Sequence, residues 1–272
     1  MRARLIIFLL VVSCLNAWAL APRATYSHMP EEFDMPYEPF EVMTADSATL
    51  TGWFFSPKSM NNRVILVCHD GQGNMSDYLE RVDFLVNLDF NVILFDYRGY
   101  GKSSPFKIDT MQYIYPEFAE DVRTMIKFGR EYSSYPIVVY GWGIGAGLGL
   151  SIGFNDDNVL SVIAESPFLT LSDLNKRFVR HHINLKMPEQ FDAKLEPYNS
   201  LSYPPGKNLK QVLLIISDHF GIFSNREMLM LKMKQPDLVS IQLLYTTYWN
   251  DPFKINPSLY FEKVADFLDD YF

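Results

Sequence analysis

The stretch "VVYGWGIGAGLG", residues 138–149, decides how the rest of the 272-residue chain is read. Two valines and a tyrosine at its start have the β-branched and aromatic character of a buried strand. They run into glycines at 141, 143, 145, 147 and 149, with only Trp142 and Ile144 large among the first few. A strand that turns through Gly-x-Gly-x-Gly into a helix of small apolar residues is a strand and a helix crossing with almost no space between them. The open question is what stands at the middle of that turn, and there it is Gly143.

Outward from this turn, apolar β-rich runs alternate with helical patterns. Strands are expected at 49–55, 64–68, 91–96, 136–141, 160–166, 212–217 and 240–246. Helices are expected near 75–88, 116–131, 144–154, 171–182, 225–234 and 257–270. The later strands are nearly all apolar, as parallel strands covered on both faces must be. The alternation predicts an α/β fold with a doubly wound, mostly parallel sheet. The insertion 171–205 is the least regular segment between two strands and is expected as a small cap over the strand C-termini, where open α/β sheets place ligands. No repeat, low-complexity tract or linker divides the chain, so 41–272 reads as a single domain. The proline-bearing stretch 20–40 reads as an extended lead-in to it.

At the N-terminus, Arg2 and Arg4 precede the apolar run Leu5–Val12, and "AWALAP" places Ala17 and Ala19 as A-x-A. This is the order of a secretory signal over 1–19, with cleavage near Ala19 and an exported, periplasmic or secreted product. Two alternatives stay open: lipid anchoring through Cys14, because "VVSC" resembles a lipobox, and an uncleaved anchor. The apolar run is short for a transmembrane domain. The formal charge of −8 lacks the basic face that nucleic acid requires. With Cys14 removed, Cys68 would have no partner for an intramolecular disulfide.

Three stretches converge on one family. "LVCHDGQGNMSD" runs a strand into a histidine and a glycine-rich turn. "FDYRGYGKS" (95–103) ends another strand in a turn, and the opening stretch supplies Gly141-x-Gly143-x-Gly145. In this order and spacing they resemble the α/β-hydrolase family, most closely its compact short-lid serine esterase, peptidase and depalmitoylase-like members; "AESPFLTLSDL" (164–174) resembles the same subgroup.

The resemblance implies a nucleophile elbow G-x-S-x-G, in which the serine sits at a strained backbone position. Here Gly143 takes the serine's place. Registering "VLLIISDHFGIFS" on the family's acid loop puts Phe220 at the acid, with Asp218 two residues earlier. Registering "TTYWNDPF" puts Trp249 at the histidine. Independently of register, the five histidines are His28, His69, His181, His182 and His219, so 220–272 contains none. Removing the serine or histidine of such a triad costs on the order of 10⁶ in turnover.

The family's oxyanion hole maps onto the amides of Gly71 and Ile144, in a turn that reads His69-Asp70-Gly71 where the family has His-Gly-Asn. No metal-ligand spacing is recognised, and no cofactor is implied. The expected function is therefore that of a non-catalytic member that binds a small apolar ligand or a protein partner. The competing expectation is an ester, thioester or amide hydrolase with a relocated site built from Ser217, Asp218, His219 and Tyr100.

Overall fold

The computed structural model describes residues 19–59, 61–217, 225–244 and 252–271. In chain order its elements are β1 (Ala21–Pro22), β2 (Glu38–Met43), β3 (Thr49–Phe55), β4 (Val64–Cys68), β5 (Gln72–Gly73), α1 (Leu79–Asn87) and β6 (Asn91–Phe95). Then come α2 (Glu117–Glu131), β7 (Ile137–Trp142), α3 (Gly143–Gly153), β8 (Val159–Glu165), α4 (Leu171–Arg180) and α5 (Pro197–Ser200). The chain closes with β9 (Gln211–Ser217), α6 (Asn225–Lys234), β10 (Val239–Leu244), α7 (Pro252–Ile255) and α8 (Pro257–Asp269).

Among the described residues, eight strands form one sheet in the order β10-β9-β8-β7-β4-β6-β3-β2. Neighbours from β10 to β6 pair in parallel, whereas β3 runs antiparallel to both β6 and β2. The central strands β4, β6 and β7 are buried at every residue, as their unbroken apolar runs require. Two hydrophobic clusters cover the sheet faces. One lies under α2, α3 and the cap; the other lies under α1, α7 and α8. The expected doubly wound, mostly parallel α/β sheet is therefore present.

Helix α3 has no polar face and is buried from Ile144 to Gly153. Its glycines explain how it fits. A methyl group on Gly145 would lie 2.2 Å from the Cys68 carbonyl oxygen, and one on Gly141 would lie 2.5 Å from the Gly145 backbone. Strand and helix thus touch backbone to backbone. The neighbouring turn after β6 is held by buried Arg98, which donates to Asp121 of α2 (2.8 Å from Nε, 2.6 Å from Nη2) and to both carboxylate oxygens of Asp46. Burial raises the Asp121 carboxyl to about 6 even against that guanidinium.

The elements depart from the expected ones mainly at the N-terminal side. The boundary at residue 41 falls inside β2, an edge strand whose alternating half-exposure and Pro39 hide it from a search for buried runs. Within the expected extended lead-in 20–40, Ala21–Pro22 pairs with Gln72–Gly73, and Pro30–Phe33 forms a 3₁₀ turn. Residues 75–78 are likewise a 3₁₀ turn ahead of α1. The insertion 171–205 keeps α4, pairs Lys186 with Gln112, and packs its second half against α3. His181 and His182 are exposed just past the end of α4.

Candidate functional site

β7 delivers the chain to Gly143, the first residue of α3, at φ +52°. This is the left-handed region, which glycine adopts without the cost a side chain incurs. A Cβ added at Gly143 would meet the Cβ of Asp70 at 3.2 Å, tighter than ordinary contact. Asp70 belongs to the turn after β4, at a position where a family turn of His-Gly-Asn has no side chain. The side chain missing from the elbow therefore has a counterpart facing it. Asp70 Oδ1 accepts hydrogen bonds from the Tyr78 hydroxyl (2.5 Å) and the Gln72 amide (2.8 Å). Burial, then the Asp70 charge, push the Tyr78 phenol well above its ordinary value, so it remains the donor.

Above Gly143 lies a cavity of about 580 Å³. Its described lining includes Trp142, Tyr78 and Phe253, together with seven charged residues: Arg23, Asp70, Asp77, Glu80, Arg81, Glu165 and Lys254. The expected small apolar ligand would meet aromatic walls that carry charged groups throughout. One wall is a buried network. Arg81 Nη1 donates to Glu165 Oε2 and to the Tyr260 hydroxyl, both at 3.2 Å, and Tyr260 donates to Glu165 at 2.6 Å. Trp142 Nε1 donates to Tyr260 at 3.2 Å, and the Tyr140 and Tyr260 hydroxyls share a hydrogen bond. The Arg81 guanidinium lies 4.5 Å from the Trp142 ring and 4.7 Å from that of Phe253, a cation enclosed by aromatic faces. The lining also carries the Arg23–Asp77 pair at 2.6 Å.

The expected oxyanion donors fare differently. The Gly71 amide donates to His69 Nδ1 at 3.1 Å, so it is engaged within its own turn, and its expected role is corrected. Burial lowers His69 to about 3, which keeps the ring neutral and its Nδ1 an acceptor. Ile144 is the second residue of α3, among the first amides that have no intrahelical acceptor. His69 Nε2 lies 3.8 Å from Asp96 Oδ1, and burial raises the Asp96 carboxyl to about 7.

Tyr100, placed in the alternative site, is wholly buried and donates to the Gly71 carbonyl at 2.9 Å. Its hydroxyl is spent on the turn, and that assignment is corrected. Ser217 ends β9. Phe220, Trp249, Asp218, His219 and Cys14 lie outside the described residues.

Sequence reasoning missed Glu165 and Ser166. Ser166 is half-buried, lines the cavity and has φ +53°, a conformation uncommon for serine and frequent where strain serves a site. Its place directly after "VIAE" was visible, but no motif marks it. Nor does any motif join Arg81 to a glutamate 84 residues away.

Comparison with known proteins agrees with the fold. The family model described as serine aminopeptidase, S33, matches residues 59–209, more than half of the chain. Protein bem46 of Schizosaccharomyces pombe is 33% identical over 155 residues, covering 53% of this chain and 49% of its own length. Protein YfhR of Escherichia coli K12 is 27% identical over 193 residues, covering 65% and 66%. The chain thus spans between half and two thirds of these relatives. An esterase of Pyrococcus furiosus superposes with a TM-score of 0.73 at 19% identity, covering 93% of this chain and 98% of the esterase, a likeness of fold.

Proposed function

The chain belongs to the serine aminopeptidase S33 family of α/β-hydrolase proteins, and we propose that it works there by binding rather than by serine catalysis. The observation that carries this is the pairing of Gly143 at φ +52° with an Asp70 Cβ only 3.2 Å from where a serine Cβ would stand. The sequence registration of Phe220 and Trp249 on the acid and histidine supports it. So does the engagement of the Gly71 amide by His69, which withdraws one donor from an oxyanion hole.

The ligand is a small molecule that carries a charged or strongly polar group beside an aromatic or apolar body. Trp142, Tyr78 and Phe253 suit the body, and the charged rim suits the polar group. A protein partner seated on the same rim is the alternative occupant. The leader 1–19, with export, or anchoring through Cys14, completes the proposal.

Purified protein incubated with short p-nitrophenyl esters, thioesters and a fluorophosphonate probe is expected to show neither turnover nor labelling. Mass spectrometry of material released on denaturation identifies the ligand. A second reading is favoured by one observation, the left-handed Ser166 on the cavity rim: a relocated nucleophile there makes the chain a hydrolase. Stoichiometric fluorophosphonate labelling mapped to Ser166 would establish it and refute the binding reading.

A further inference from the structure

The segment 19–26, which carries β1 and precedes the eight-stranded sheet, crosses the turn that the elbow faces. Ala21 donates to the Gly71 carbonyl (3.0 Å) and Arg23 to that of Gly73 (2.9 Å). Gln72 Nε2 donates to the Ala19 carbonyl (2.9 Å), and the Gly101 amide donates to the Arg23 carbonyl (3.0 Å). Asn74 Nδ2 donates to the carbonyls of Arg23 and Thr25. All of these bonds use the strap's own backbone, so they are indifferent to the strap's side chains. Between 19 and 29, Leu20 alone is buried, at 0% exposure.

Its side chain sits where the two expected oxyanion residues meet. A methyl group on Gly71 would lie 2.7 Å from Leu20 Cδ2, 2.9 Å from Ile144 Cδ1 and 3.2 Å from the Tyr100 hydroxyl. Leu20 is thus an isobutyl group delivered by a backbone-bonded strap into a notch between the elbow helix and the facing turn. One side-chain latch holds the strap at the cavity rim: the Arg23–Asp77 pair, more than one third exposed on both sides.

We propose that this strap is an intramolecular ligand, with Leu20 occupying an apolar notch that takes the alkyl chain of an amphiphile when the strap is displaced. The proposal is independent of whether the elbow is catalytically silent, since the notch is read by binding alone. An amphiphile fits both halves of the site: its chain replaces Leu20, and its anionic head reaches Lys254 and Arg81, which line the cavity and stay in place when the strap leaves.

The test is fluorescence anisotropy of a fluorophore-labelled dodecanoic acid titrated with the wild type, Leu20→Ala and Arg23→Ala, each checked for fold by circular dichroism. Leu20→Ala is expected to bind roughly tenfold tighter than wild type, because the internal competitor is gone. Arg23→Ala keeps Leu20 and loosens only the latch, so about a three- to fivefold gain is expected. Saturating wild type with the probe should speed hydrogen exchange at the amides of Ala21 and Arg23.

A gain in Leu20→Ala alone, with no gain in Arg23→Ala and no change in exchange, identifies an engineered hole and overturns the proposal. Absence of any gain in folded variants overturns it too. If Leu20→Ala does not fold, the exchange experiment on wild type decides alone: unchanged protection at saturation overturns the proposal.

Discussion

Replacing Gly143 by serine and Asp70 by glycine, singly and together, measures whether one side chain has taken the other's space. At φ +52° a serine incurs about 1 kcal/mol or more of backbone strain. Its Cβ would also press on the Asp70 Cβ at 3.2 Å. Relieving that contact shifts a carboxylate held by Tyr78 and the Gln72 amide, for roughly another 1 kcal/mol. Gly143→Ser should therefore lose about 2 kcal/mol. Asp70→Gly alone loses two hydrogen bonds in a half-exposed turn, again roughly 2 kcal/mol. Together they should lose less than the sum, by about 0.5–1 kcal/mol, because the contact exists only when both side chains are present. Urea unfolding of the four proteins gives the cycle, and p-nitrophenyl ester turnover is followed in parallel. Strict additivity would refute the steric pairing. Esterase activity in Gly143→Ser would refute the placement of Phe220 and Trp249 at the acid and base.

The other predictions concern what holds the site. Asp96 is raised to about 7 by burial from an unfolded value near 3.8, so the native state favours its protonated form. Its contribution is fully present below about pH 4 and is lost as pH rises through 7. Asp96→Asn, which can still accept from the Met75 amide, should then stabilise by up to about 4 kcal/mol at pH 8 and by little at pH 4; a gap independent of pH in thermal melts refutes this. Arg81→Ala strands Glu165 beside Tyr260 and should cost about 3–5 kcal/mol, whereas Arg81→Met with Glu165→Gln should cost clearly less, measured by denaturant midpoint. Gly145→Ala drives a methyl into the carbonyls of Cys68 and His69, which no rotamer relieves, and should cost about 3 kcal/mol or more. Gly153→Ala, which meets only the valine methyls of Val162, Val159 and Val139 at 3.1–3.6 Å, should stay within about 1 kcal/mol of wild type.

The centre of the fold was legible because its strands are buried on both faces and write that burial as apolar runs. β3 and β4 coincide with the expected 49–55 and 64–68. β2 was not, since an edge strand exposed on alternate residues carries no such run. The elbow was legible as a turn from its glycines. Its meaning depended on Asp70, which the sequence showed only as a departure within the turn of the expected oxyanion hole. Its packing against Gly143 is a three-dimensional fact between residues 73 apart in the chain. The strap was opaque for a similar reason: two residues pairing with a turn some fifty residues on leave no periodicity to detect. The Arg81–Glu165 network likewise joins a helix face to a strand end, and neither segment is unusual by itself.

The strap also sets an order of events during synthesis. Its partners are Gly71, Gly73, Gly101 and, through the Ala19 and Leu20 amides, the Thr110 carbonyl. Non-local pairings of this kind form only after both segments exist and the intervening chain has closed into a loop. Until residue 110 has left the ribosome, residues 19–26 lack their full set of partners. Docking of the strap then marks the N-terminal half as folded, so a proteolytic time course on stalled nascent chains would see protection near Ala21 arrive as a late event.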